Sequence, residues 1–276
     1  MNPSKAAVVK LGGRELVDPG SIDRVASWIG ARVRAGRPIV LVHGGGDEVT
    51  ERASALGLPT EKRAGQRVTD AAMLEVVIEV LAGRVNARLV GRLGALGVPS
   101  VGLTGLADRL LLVRPAGVPP GSLGFVGEPV EVRRRLLDPL LAQGITPVIA
   151  PIGTDGHGQC YNVNADLAAA AIARSLRADL FLVTDVPGVR DAQGNVLDRL
   201  TLAGARHLVR DGVARDGMIP KLEAAEAALS AGSTAWIGDL EGLLAPGRAP
   251  GTHLTRAPSA APTFPTASAR PRRGGT

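Results

Sequence analysis

Five apolar runs, each too short for a helix and apolar on consecutive positions, constrain the fold most: residues 6–9, 39–42, 147–150, 180–183 and 235–237. A strand with one wet face alternates apolar and polar residues, whereas a strand buried on both faces reads as a continuous run. The runs therefore predict central strands of a parallel sheet covered on both sides. Between them the spacing is helical. Over 21–35, Ile22, Val25, Ile29 and Val33 share one face, and Ser21 can cap the start after Pro19-Gly20. Residues 47–56, 70–96 (one long helix or two), 130–142 and 166–176 read as further helices. Strand–helix alternation predicts the α/β class, a three-layer α/β/α sandwich around a mainly parallel central sheet. Aromatic residues make up only 2% of the chain, so Val, Leu, Ile and Ala must fill its core.

Two lobes are expected, 1–175 and 176–256, sharing one sheet because no linker composition separates them. Beyond them, Pro258, Pro262, Pro265 and Pro271 stand among Ala, Ser and Arg, the composition of a disordered tail over 257–276.

The formal charge is +6, which raises the question of nucleic acid. The arginines are scattered, however, Arg270, Arg272 and Arg273 lie in the tail, and base-stacking aromatics are scarce. No nucleic-acid partner is expected. Cys160 is the only cysteine, so no intrachain disulfide can form and a reducing, cytoplasmic setting is expected. No apolar stretch has the length of a membrane span, and no membrane partner is expected.

Chemistry is signalled by glycines at strand ends. Lys10-Leu11-Gly12-Gly13 follows the first run and His43-Gly44-Gly45-Gly46 the second, just before a predicted helix. Glycine lets backbone N–H groups approach a ligand, and a helix N-terminus favours anions. In open α/β sheets, ligands bind beyond the carboxyl ends of the strands. Two such loops side by side describe a polyphosphate or carboxylate pocket, whereas one alone would be a tight turn. Lys10 ends a buried strand, where an amine needs an anion. Asn162, Asn164 and Asp166 precede an Ala-rich helix, and one of Asn164 and Asp166 can cap it. Asp185-Val186-Pro187-Gly188-Val189 turns the chain after another strand, and Lys221 falls in the first turn of a helix, where a cation opposes the dipole. The chain has no Gly-Lys pair and no Gly-x-Ser-x-Gly, which excludes the usual P-loop and the esterase elbow. His43, His157, His207 and His253 show no metal spacing and read as structural.

Taken in order, Lys10-Leu11-Gly12-Gly13, Val42 to Gly46, Gly65 to Thr69, Asn162 to Asp166, Thr184 to Val189 and Asp216 to Lys221 resemble the amino-acid kinase family. The resemblance runs from about residue 6 to 254. It implies that ATP phosphorylates the side-chain carboxylate of an acyl amino acid, N-acetyl-L-glutamate above all, with Mg²⁺ bound mainly through ATP and water and no protein metal ligand. It implies catalytic roles for Lys10, Lys221 and Asp166, the carboxylate orienting the lysines. Gly45, Gly46, Arg67 and Asn162 would hold the acid. Gly12 and Gly13 would meet the ATP phosphates, together with Gly45, and Asp185, Val186, Pro187, Gly188, Val189 and Arg190 would line the nucleotide site. By the same resemblance, 1–175 is the acid-binding and dimerisation lobe and 176–256 the nucleotide lobe. Many relatives carry Ser-Gly-Lys-Asp where this chain has Thr104-Gly105-Leu106-Ala107-Asp108, and no role is assigned there. A start close to the first strand suggests an arginine-insensitive homodimer. A kinase for carrier-protein-linked aminoadipate and a non-catalytic ligand sensor on the same fold are the alternatives.

Overall fold

A computed structural model describes residues 5–256 except 64, 231 and 248. The expected tail lies outside the described residues. The chain enters through β1 (Ala7–Leu11), followed by α1 (Pro19–Arg34), β2 (Ile39–His43) and α2 (Gly46–Ala55). A small hairpin, β3 (Lys62–Arg63) and β4 (Gln66–Arg67), leads into α3 (Ala71–Ile78), a π-helical stretch (Glu79–Val85) and α4 (Asn86–Ala95). Next come β5 (Ser100–Thr104), β6 (Leu111–Pro115) and β7 (Val126–Val132). After α5 (Leu137–Ala142) follow β8 (Thr146–Ala150), β9 (Ile152–Thr154) and β10 (Cys160–Val163). Then come α6 (Ala165–Leu176), β11 (Asp179–Val183), β12 (Arg199–Thr201) and α7 (Leu202–Arg210). The described chain closes with α8 (Met218–Leu229), β13 (Ala235–Gly238), α9 (Leu240–Leu244) and β14 (Thr252–Thr255).

Eight strands form one sheet in the order β12-β14-β13-β11-β1-β2-β8-β5, parallel throughout except for the β13–β14 pair. The period of two along each strand splits the core in two. Val8, Val40, Val42, Leu180 and Leu182 face one side and pack with Ala169 and Ile172 of α6 and Leu222 and Ala225 of α8. Val9, Leu11, Leu41, Phe181 and Val183 face the other and pack with Val25 and Ile29 of α1 and Leu89 and Leu93 of α4. Each buried Val, Leu, Ile or Phe among them contributes about 1.5–3 kcal/mol of burial free energy. The result is the expected three-layer sandwich. One sheet crosses from residues before 175 to residues after it, as expected.

The parallel register brings the functional loops together. Lys10 pairs with Leu182 and Leu11 with His43, so the turns after β1, β2 and β11 leave the same edge of the sheet.

Two expectations are corrected. Residues 130–142 are not one helix: 126–132 is strand β7 and only Leu137–Ala142 is helical. β7 pairs antiparallel with β6, and β10, β7, β6 and β9 close a small barrel. Pro139 lacks an N–H and would disrupt the interior of a 130–142 helix, whereas it fits the first turn of α5. β7 takes Pro129 where its register with β6 is irregular. The start of α1 is capped not by Ser21 but by Asp18, whose Oδ2 accepts from Ser21 N at 2.7 Å. Pro19 supplies the preset φ of the first helical residue, which moves the cap back. Among the described residues, no helix is long and apolar enough to cross a membrane.

Candidate active site

Lys10 lies at the carboxyl end of β1 and is buried, and Lys221 lies in the first turn of α8. They meet at one carboxylate. Lys10 Nζ stands 3.0 Å from Asp166 Oδ1, and Lys221 Nζ donates to Asp166 Oδ2 at 3.1 Å. The Lys10 contact lies outside hydrogen-bonding angles, so that pair is held by charge. Lys221 also donates to Gly217 O at 3.3 Å. The two neighbouring polar residues divide their work: Asn164 Oδ1 caps α6 by accepting from Asp166 N at 2.8 Å, which frees the Asp166 side chain for the lysines. Burial pushes the Asp166 carboxyl up, but the charge of Lys10 and then that of Lys221 outweigh it and hold the group below the ordinary carboxylate range. Within this trio two cations share one anion. The surplus positive charge, in a largely buried position, favours an anionic ligand.

The functional loops form two cavities, and both lysines line one of them. One, of about 240 Å³, is lined by Lys10, Gly12, Gly13, Asp47, Asp185 and Lys221 among others. The other, of about 190 Å³, is lined by Gly44, Gly45, Gly46, Arg67, Asn162 and Ala165 among others. Consecutive residues divide between them, Gly46 lining one and Asp47 the other. Gly45 has φ +139° and a Cβ there would lie 2.7 Å from Leu81 Cδ2, so only glycine fits.

Arg67, on β4, is buried in the wall of the smaller cavity. Its Nη2 donates to Gly46 O at 2.9 Å and to Thr50 Oγ1 at 2.7 Å, while Nη1 is buried without a hydrogen-bond partner. Burial pulls its pKa down, with Asp47 opposing. A guanidinium does not give up its proton, so an incoming carboxylate is the group that satisfies it. Asn162 Nδ2 donates to Thr69 Oγ1 at 3.1 Å, and Thr69 Oγ1 donates in turn to Arg67 O at 2.9 Å. That chain of donors orients the Asn162 amide.

The 185–190 segment is only partly at the site. Asp185 lines the larger cavity and accepts from Thr184 Oγ1 at 3.0 Å. Val186, Pro187, Gly188, Val189 and Arg190 lie outside its lining. Gly188 is buried, and Val189 sits in the core with its N–H donating to Thr252 Oγ1 at 2.8 Å.

His43 has a role that the motif reading left as generic structure. It is fully buried, its Nδ1 faces Gly44 O at 2.8 Å, and Asn86 Nδ2 lies 3.1 Å from Nε2. An Nδ1–H tautomer satisfies both contacts, and burial holds the pKa down at about 4. The histidine thus fixes the first peptide of the glycine loop. The available signal was a histidine closing a wholly apolar run.

Comparison with known proteins places this geometry. The model of the amino acid kinase family matches residues 5–239. The acetylglutamate kinase of Dinoroseobacter shibae is 41% identical over 248 residues, covering 90% of this chain and 83% of the relative. That of Cereibacter sphaeroides is 44% identical over 227 residues, 82% of this chain and 76% of the relative. Among solved structures, smu.665 from Streptococcus mutans UA159 superimposes with a TM-score of 0.79 at 28% identity, covering 91% of this chain and 99% of that one. The chain belongs to the amino acid kinase family and is a phosphotransferase. Within that family the curated relatives it matches are acetylglutamate kinases.

Proposed function

We propose that the enzyme moves the terminal phosphoryl group of ATP onto the side-chain carboxylate of N-acetyl-L-glutamate, giving N-acetyl-L-glutamyl 5-phosphate. This is acetylglutamate kinase activity, a step of arginine biosynthesis. The observation that carries the reading is the pair of ammoniums, Lys10 and Lys221, on opposite oxygens of Asp166 and lining one cavity with Gly12 and Gly13.

In the reaction a carboxylate oxygen attacks the γ-phosphorus, the bond to the β,γ-bridging oxygen breaks, and ADP leaves with that electron pair. The acceptor is already ionised near neutral pH, so no general base is required. Positioning and charge neutralisation carry phosphoryl transfer. The ATP phosphates lie over Gly12 and Gly13, with Asp185 on the nucleotide side. Lys10 and Lys221 take up the charge that develops on the transferring group. A lysine about 4 Å from that charge contributes on the order of 4 kcal/mol at an effective dielectric near 20. Asp166 holds both amines in place. In the other cavity Arg67 grips a carboxylate of the acid through its unused Nη1, beside Asn162 and the N–H groups of Gly45 and Gly46.

Glu15, Asp47 and Asp185 lie in the wall of the larger cavity, but no three acidic, histidine or cysteine side chains among the described residues are grouped to hold a metal ion. Mg²⁺ would be held mainly by ATP and water. Such an ion, bound with ATP, would neutralise phosphate charge there. Residues 1–175 supply the acid pocket and the contacts of a homodimer, and the enzyme works in the cytoplasm. Residues 176–256 bring Val183, Thr184, Asp185 and Lys221 to the nucleotide pocket beside Lys10, Gly12 and Gly13.

The test is ATP turnover over a panel of acylated and free amino acids, with hydroxylamine to trap an acyl phosphate. Hydroxamate formed with N-acetylglutamate, and not with free glutamate or aminoadipate derivatives, is the expected result. Turnover independent of any acid sinks the reading.

A further inference from the structure

In-line transfer requires the turn after β1 and the loop after β2 to stand at a fixed separation, and one side chain from a third element touches both. Arg88, on α4, donates through Nη1 to Glu48 Oε2 at 3.0 Å and through Nη2 to Glu48 Oε1 at 2.6 Å. The same Nη2 donates to Leu16 O at 2.9 Å. Glu48 is buried in the first turn of α2, two residues past Gly46. Leu16 ends the short 3₁₀ turn Gly13–Leu16 that continues from Gly12. The guanidinium therefore joins the phosphate side to the acid side.

We propose that Arg88 is a positioning residue for phosphoryl transfer, its fork tying α2 to the Gly13–Leu16 turn so that the two substrate loops keep their reacting distance. The proposal rests on the kinase reading above. The clamp has a firm base. Two residues earlier on α4, Asn86 Nδ2 donates to Val148 O at 2.9 Å and meets His43 Nε2, which pins the start of that helix to β2 and β8. Gly102 leaves the room: a Cβ there would stand 2.1 Å from Asn86 Oδ1. The fork also exceeds what charge balance needs. One ammonium near Glu48 would neutralise it, but a lysine has a single nitrogen and cannot hold both carboxylate oxygens and the Leu16 carbonyl in one plane.

The experiment measures kcat, both KM values and the thermal midpoint for wild type, Arg88→Lys and the charge-neutral double variant Glu48→Gln/Arg88→Met. The clamp predicts that Arg88→Lys keeps the wild-type midpoint while kcat falls roughly tenfold or more and each KM stays within about threefold. The double variant, which leaves no buried charge unpaired, is predicted to fold and to show the same loss of kcat. Wild-type kcat in either variant overturns the proposal and leaves Arg88 as a counter-ion for Glu48. A kcat loss that only tracks a falling midpoint overturns it as well. Failure of wild type itself to form an acyl phosphate defeats the functional reading instead, a result distinct from wild type and Arg88→Lys turning over alike.

Discussion

A Cβ on Gly12 would stand 2.6 Å from Lys10 Nζ and 3.3 Å from Lys10 Cε, so the space left by the glycine's missing side chain is the space beside the ammonium. The glycine thus gives room to a neighbouring catalytic group as well as to phosphate. Gly12→Ala is expected to leave the thermal midpoint nearly unchanged, because the end of a lysine side chain can swing aside. It should lower kcat roughly tenfold or more, because the amine then leaves its station. Steady-state kinetics beside a melting curve checks both halves, and full activity in the variant would refute the crowding.

Lys10→Ala and Lys221→Ala are each expected to cut turnover by roughly a hundredfold or more, through lost neutralisation of the migrating charge. Asp166→Asn should do comparable damage without touching the phosphate, since both amines lose their shared counter-ion. Single-turnover measurements at saturating ATP and acid read the chemical step directly. Near-normal rates in any one variant would remove that residue from the mechanism.

Arg67 divides its donors between fold and ligand. Its Nη2 bonds to Gly46 O and Thr50 Oγ1 are lost in Arg67→Met, which should lower the melting temperature of the free enzyme by the equivalent of about 1–3 kcal/mol. Its buried Nη1 has no hydrogen-bond partner and is left for ligand. The variant's kcat/KM for the acid should fall by roughly a hundredfold, the worth of a charge-assisted carboxylate contact. N-acetylglutamate should raise the melting temperature of wild type and not of the variant. Equal ligand shifts in the two proteins would contradict the assignment.

Acid should weaken the fold in two stages. His43 titrates at about 4 when folded and near its ordinary 6.5 when unfolded. Above 6.5 both states are neutral there and the full stability is present. As pH falls from 6.5 to 4 the unfolded chain takes up a proton that the folded one refuses, and stability drops by about 3 kcal/mol. Asp166 acts lower down: its folded pKa lies below the ordinary value, so its contribution holds above about 4 and disappears as pH falls through the depressed value. Urea titrations at stepped pH should show the first slope in wild type and a flatter one in His43→Gln. Identical slopes would remove His43 as the cause.

Much of the fold was readable because the central strands are apolar on both faces and the helices between them carry a clear period. Lys10, the glycine loop 44–46, Asn162 and Lys221 could be singled out as candidates from a strand end, glycines, a nearby cap and a helix start. Arg67 was reached only through the resemblance. What escaped depends on distant partners. β7 contains Pro129 and two glutamates, and nothing local says that β6 and β10 will flank it. Asn86 and Arg88 sit on an ordinary helical face, and their partners on β2, α2 and the Gly13–Leu16 turn are known only once the chain has folded. Gly188 and Val189 belong to a motif, yet in space Thr252 anchors the Val189 N–H and crowds any Cβ at Gly188.

The position of β1 in the sheet has a kinetic consequence. It lies between β2, which emerges from the ribosome almost at once, and β11, which emerges only after most of the chain. Until β11 arrives, one flank of β1 is an open row of amides and carbonyls in an apolar setting. Such late, distant pairing is slow to form. A nascent or truncated chain that ends before Asp179 should therefore be prone to association, and chaperone dependence should fall sharply once the strand Asp179–Val183 has been made.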